Sequence, residues 1–151
     1  MKIVLQRVSR AAVMVEGKTV GAVGRGICLL VGVEKGDREE DADYLAKKIV
    51  GLRIFPDADE KMNLSLLDID GELLAVSQFT LAGSVRKGRR PGFDRAEDPD
   101  RASRLFSYFV ERVRILGIRK VETGVFAASM RVRIDNDGPV TFVLESSEQK
   151  A

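Results

Sequence analysis

The sequence predicts a single α+β domain, and three observations lead there. Short runs of β-branched and aliphatic residues recur along most of the 151-residue chain, punctuated by Gly, Pro, Asn and Asp. Only two stretches carry a helical apolar period, too few for a sheet wound by alternating helices. No repeat, low-complexity tract or linker divides the chain, and its length suits one domain. The expected domain spans residues 1–151, the last few as a tail.

Each element has its own warrant. Lys2 to Val8 mixes β-branched and polar residues and reads as a strand. Ala11 to Val15 and Lys18 to Val23 flank Glu16-Gly17, a hairpin signal in which Gly supplies positive φ. Ile27 to Val33 is an almost unbroken apolar run, as in a buried central strand. Asp37 is expected to open the first helix, because Asp37 and Glu40 have capping-box spacing. Ala42, Leu45, Ala46 and Ile49 then share one face. Arg53 to Phe55 is extended and stopped by Pro56, and Asp57 to Glu60 turns. Ile69-Asp70-Gly71 turns again into Glu72 to Leu81, a clear strand. Ala82 to Asp98, Gly-rich and basic, is expected as one long loop. Pro99 and Gly117 bracket the second helix, whose apolar stripe is Ala102, Leu105, Phe106, Phe109, Val110 and Val113. Lys120 to Val125, Met130 to Ile134 and Thr141 to Leu144 are the remaining strands. A hairpin loop is expected between the last two.

Composition limits the chemistry. Hydrophobic residues are 44% and charged residues 32%, which fits a soluble globular chain with no affinity for membranes. No segment reaches the roughly 18 uncharged apolar residues of a membrane span. Met1 to Arg7 is broken by polar residues too early for a signal-peptide core. The one cysteine, Cys28, cannot form an intrachain disulfide and reads as a buried small hydrophobe. Both features lead to an expected cytoplasmic location. The chain has no histidine. Ser-His-Asp and Cys-His machinery is therefore impossible within it, and no zinc site using His or a thiolate cage can form. Catalysis would have to use carboxylates, Lys, hydroxyls, backbone groups or the substrate itself. No metal or cofactor is expected.

Several familiar patterns fail on inspection. Gly83 to Arg90 has the Gly spacing of a phosphate loop but lacks Lys-Ser/Thr. Gly21, Gly24 and Gly26 have the wrong spacing for a dinucleotide site. Asp68 to Gly71 and Asp135 to Gly138 lack the register of a calcium loop.

Three stretches remain. Ser77-Gln78-Phe79-Thr80-Leu81 places polar residues where an apolar strand meets the basic loop. It is either a strand end reaching water or a pocket floor of hydroxyls, an amide and backbone N–H groups. On a strand, Gln78 and Thr80 would share one face and Ser77, Phe79 and Leu81 the other. Asn136-Asp137-Gly138-Pro139-Val140-Thr141 is rich in turn formers, and the isomer of its Gly-Pro bond is not legible. Arg86, Lys87, Arg89 and Arg90 form either a solvated loop or a contact for nucleic-acid phosphates.

Together these segments resemble the D-aminoacyl-tRNA deacylase family. The likeness runs through Gln6-Arg7-Val8, Gly32-Val33-Glu34-Lys35, Arg53-Ile54-Phe55, Lys61-Met62-Asn63-Leu64 and Ser77 to Leu81. It continues through Tyr108-Phe109-Val110-Glu111, Phe126-Ala127-Ala128 with Met130, and Asn136 to Thr141. The resemblance implies a β-barrel-like fold and a homodimer with composite active sites. Ser77, Gln78, Phe79 and Thr80 would come from one chain. Gly138 and Pro139, joined by a cis peptide and held by Arg7, would come from the other. Phe126 and Met130 would line the pocket for the terminal adenosine or the aminoacyl group. The substrate would be the ester of a D-amino acid with tRNA. Backbone N–H groups near Phe79 and Thr80 would stabilise the oxyanion, and the neighbouring 2′-hydroxyl of the tRNA would assist. Thr80 has no base among the motif residues and is read as a positioning residue. L side chains would clash with backbone; D-amino acids and glycine would pass. A non-catalytic RNA-binding module and a hydrolase of other small esters or amides are the competing readings.

Overall fold

Alternation of buried and solvent-facing residues makes one long ribbon where the sequence predicts two strands. In the computed structural model, which describes residues Met1–Lys150, β1 runs unbroken over Lys2–Val15, with Ile3, Leu5, Val8, Ala11 and Val13 buried. Its first half pairs antiparallel with β3 (Gly26–Gly32) and its second half with β2 (Lys18–Val23). Backbone partners at both ends remove any reason for a break at Ser9-Arg10. The hairpin at Glu16-Gly17 forms as expected, with both residues at positive φ.

The last strand overturns a second expectation. β8 (Arg131–Glu145) is one strand lying antiparallel along β1, not two strands joined by a hairpin loop. Asn136 pairs with Val8 and Thr141 with Gln6. Asp137 to Val140 therefore bulge opposite Arg7 without reversing the chain. Turn-forming residues mark a bulge as readily as a hairpin, and the length of β1 decides between them here. The Gly138-Pro139 peptide is cis.

On the other side of β3 lies β6 (Glu72–Ser77), and beyond it β7 (Val121–Thr123), both pairings parallel. The path β2-β1-β3-β6-β7 curls until its ends approach. A Cβ on Gly21 of β2 would meet the Thr123 carbonyl of β7 at 2.7 Å. The sheet is thus a nearly closed barrel. Residues on alternate sides of each strand serve different cores. Cys28, Leu74 and Val76 point inward with Val8, Val13 and Val23. Ile27, Leu29, Leu73 and Ala75 point outward, against α1 (Glu39–Gly51) and α2 (Pro99–Ile115). The helices contribute Leu45, Ile49, Phe106, Phe109 and Val113 to that outer core. A small hairpin, β4 (Phe55–Pro56) with β5 (Met62–Leu64), completes the described strands. The Asp57 carboxylate ties its turn by accepting from the N–H groups of Asp59 at 2.8 Å and Lys61 at 3.1 Å. Those bonds, the Lys61 N–H foremost, hold its pKa below the usual carboxylate range.

The start of α1 departs from expectation. Glu39 opens the helix, and the Asp41 carboxylate accepts the Arg38 N–H at 2.8 Å. Asp37 does not cap. It accepts the Glu34 N–H at 2.7 Å and the ammonium group of Met1. A full positive charge outcompetes the helix for that carboxylate. The same ammonium donates to Ser146 Oγ at 2.8 Å, so Ser146–Lys150 turns back as a 3-10 segment against the body of the domain. Ala151 lies outside the described residues.

Cys28 illustrates the inner core. Burial pushes its thiol from an ordinary 9.0 up to about 12. The unfolded thiol ionises near pH 9 while the folded one keeps its proton, so unfolding releases a proton in that window. Stability should then fall by about 1.4 kcal/mol per pH unit above pH 9 on account of this group. Urea unfolding at pH 8.5 and 10.5 tests this against Cys28→Ala, which should lack that share of the slope. Equal slopes would refute it.

Candidate active site

The strand predicted over Glu72 to Leu81 stops at Ser77. Gln78 still donates its N–H to the Val31 carbonyl at 2.8 Å, and Phe79–Ala82 then winds into a 3-10 turn. Gly32 permits the fold-over: a Cβ there would lie 2.9 Å from Leu81 Cβ and 3.0 Å from the Gln78 carbonyl. The predicted sharing of strand faces is thereby corrected. Gln78 and Thr80 still meet, but through a hydrogen bond, Gln78 Nε2 donating to Thr80 Oγ1 at 2.5 Å. The N–H groups of Phe79 and Thr80 open the turn, so the turn offers them no acceptor. They donate to no backbone carbonyl elsewhere among the described residues.

Beside this turn lies a cavity of about 450 Å³, in the range of a small-ligand site. Ser77, Gln78 and Phe79 form one side; Phe126 to Ala128, Met130 and Val132 form another; Ala102 and Phe106 of α2 close the back. Phe126 packs 6.4 Å from Phe106, ring centre to ring centre. Two stretches far apart in sequence, Ser77 to Phe79 and Phe126 to Met130, therefore face one apolar hollow. Thr80 is exposed and does not line it. Sequence reasoning missed Glu97. It is the one ionisable group among the described residues lining the cavity, and its side chain is only 6% exposed. It accepts the Asp98 N–H at 2.9 Å and pairs with Arg101 at 3.5 Å. A carboxylate just before a helix cap is too common to have singled it out.

Arg7, Gly138 and Pro139 do not line the cavity of their own chain. Gly138 and Pro139 are exposed at the crest of the bulge. Arg7 buttresses the crest: its Nε donates to the Asp137 carbonyl at 3.1 Å and lies 3.4 Å from the Asp137 carboxylate. Its Nη1 anchors on the Ile54 carbonyl at 2.7 Å. Asn136 holds the far side, accepting the Val140 N–H and donating to Thr141 Oγ1, both at 2.9 Å.

The predicted long loop is tied at its base. Ser84 and Gly92 exchange backbone hydrogen bonds at 2.8 and 2.9 Å, and Lys35 donates to the Arg95 carbonyl at 2.9 Å. Arg86, Lys87, Arg89 and Arg90 stand exposed in between. Phe93 returns to rest edge-on against Phe79, 5.1 Å between ring centres.

An apolar cavity, partly open to solvent, with spare backbone N–H donors beside it suits a site that polarises an ester carbonyl, and hydrolysis of such an ester is what the curated relatives are named for. Proteins named D-aminoacyl-tRNA deacylase from Geotalea uraniireducens (strain Rf4) and Persephonella marina (strain DSM 14350 / EX-H1) are 63% and 60% identical to it. The first alignment covers 99% of this chain and 96% of the relative; the second covers 95% and 96%. A solved structure described as the c-Myc DNA unwinding element binding protein superposes with TM-score 0.91 at 41% identity, over 96% of this chain and 98% of that one. One described as a probable eukaryotic D-amino acid tRNA deacylase shares the fold, with TM-score 0.82 at 20% identity, over 95% of this chain and 98% of that one. The family model for D-Tyr-tRNA(Tyr) deacylase matches residues 4–145, and the chain belongs to that family.

Proposed function

We propose that the protein hydrolyses the ester between a D-amino acid and the terminal ribose of tRNA, in the cytoplasm, as a homodimer whose chains complete each other's sites. The observation that carries this reading is the apolar cavity beside the free N–H groups of Phe79 and Thr80, in a chain whose relatives are named for that reaction. Such an ester is already activated. Holding its carbonyl, admitting water and stabilising the oxyanion with fixed donors suffices for moderate acceleration. The adjacent 2′-hydroxyl of the terminal adenosine supplies the proton relay that histidine supplies elsewhere. Phe126 and Met130 contact the adenosine or the aminoacyl group. The exposed Arg86 to Arg90 loop meets tRNA phosphates.

Chirality is assigned to the Gly138-Pro139 crest of a partner chain. Its exposure, and its absence from its own chain's cavity, support a role in trans. The crest's carbonyls accept the substrate's α-ammonium, and an L side chain then runs into backbone. Incubation with D-Tyr-tRNA, L-Tyr-tRNA and glycyl-tRNA tests the reading. The D and glycyl esters should be lost and the L ester spared. Equal loss of D and L esters, or tight binding without turnover, would sink it.

Thr80→Ala separates positioning from attack. As a positioning residue, Thr80 orients Gln78 through the 2.5 Å bond. Its loss should lower kcat by about tenfold, roughly 1.4 kcal/mol in the barrier, and leave tRNA affinity unchanged. Complete loss of activity would make Thr80 the nucleophile, and an unchanged rate would remove it from the site.

A further inference from the structure

A second, smaller cavity of about 220 Å³ opens between the N-terminal ends of α1 and α2. It shares Val33 and Glu97 with the main cavity, so the two are neighbours across one wall. Their charge differs. No Lys or Arg lines the main cavity, whereas Arg38, Arg101 and Arg104 all line the smaller one. Three carboxylates are also present, and two are engaged. Asp37 takes the Met1 ammonium and the Glu34 N–H, and Glu97 takes the Asp98 N–H and Arg101. Glu39 is exposed on the first turn of α1. Arg104 makes no ion pair or hydrogen bond among the described residues, and Arg38 is exposed opposite it.

We propose that this second cavity is a phosphodiester subsite, in which Arg38 and Arg104 hold the phosphate immediately preceding the terminal nucleoside of the substrate. The inference rests on the aminoacyl-tRNA reading above. A strand that leaves a nucleoside in the main cavity by way of the shared wall brings its first anion to these guanidinium groups. Their planar donor forks match phosphate oxygens. Such a contact fixes register and orientation without reading bases.

The test compares the wild type with the Arg38→Ala/Arg104→Ala double variant on two substrates. D-Tyr-tRNA carries the phosphate; D-Tyr-adenosine presents the same ester without it. The double variant should raise KM for D-Tyr-tRNA by about tenfold, with kcat within about twofold. The salt dependence of that KM should flatten by about 0.7 per lost contact. D-Tyr-adenosine should be hydrolysed as before. Arg104→Lys, which keeps the charge, should stay closer to the wild type than Arg104→Ala does. An unchanged KM for the tRNA, or equal loss on both substrates, would overturn the subsite. A short RNA ending in CCA gives a readout without turnover: the double variant should bind it more weakly, and equal binding would also overturn the subsite. A wild type inert towards both esters would instead refute the deacylase reading, and the RNA titration would still judge the cavity.

Discussion

Gly138→Ala is expected to cut hydrolysis of D-Tyr-tRNA by about a hundredfold, the scale of effect produced when a positioning group moves by roughly 1 Å. The backbone at Gly138 has φ +133, a region L-residues rarely adopt. An added Cβ would lie 2.7 Å from Val140 Cγ2, 3.0 Å from the Val140 nitrogen and 3.2 Å from Arg7 Nη2. The Val140 nitrogen is fixed by Asn136, and Arg7 is fixed by Ile54, so neither neighbour yields freely. The crest itself must shift. Because it is exposed, global stability should drop by only about 1–3 kcal/mol, the usual cost of a strained backbone position. Single-turnover rates on D and L esters, with urea unfolding alongside, measure both. Wild-type rates on both esters would contradict a role for the crest.

Gly26→Ala should instead abolish the fold, or lower stability by more than about 3 kcal/mol. Gly26 pairs with Glu72 where β3 meets β6. A Cβ there would overlap the Glu72 carbonyl oxygen and sit 2.7 Å from the Glu72 carbon and nitrogen, all backbone atoms. No rotamer change relieves such a clash, so the parallel pair has to part at the start of its ladder. Gly51→Ala is the control. It lies at the end of α1 with nothing within 4 Å of the added carbon, and should be neutral or stabilising by up to about 1 kcal/mol. Chemical denaturation of the two variants decides the matter. A Gly26→Ala protein as stable as the wild type would show that the pair closes less tightly than it stands here.

Local chemistry made the helices and most of the strands legible. Pro99 and Gly117 bracket α2, and the apolar period of Ala42 to Ile49 marks α1, because caps and faces are written in neighbouring residues. The errors arose where a distant partner decides the outcome. Nothing in Asn136 to Val140 reveals that β1 continues alongside and turns a would-be hairpin into a bulge. Nothing near Asp37 reveals the Met1 ammonium that claims it. The Ser77 to Thr80 stretch was recognisable by its polarity, but its 3-10 geometry depends on Gly32 of another strand. Phe126 and Met130 entered through family likeness alone. Glu97 stayed hidden, since its burial comes from α2 packing and not from any local pattern.

The continuity of β8 has a mechanical consequence. Val132, on the wall of the cavity, and Gly138, on the crest, belong to a single extended stretch roughly 20 Å long at the usual rise per residue. Up to Asn136 that stretch is laced to β1, and only Asp137 separates the lacing from Gly138. One register shift, opposite Ser9, interrupts the ladder between them. If the crest serves a neighbouring chain, each molecule's own pocket wall and the tooth it lends are carried on the same strand.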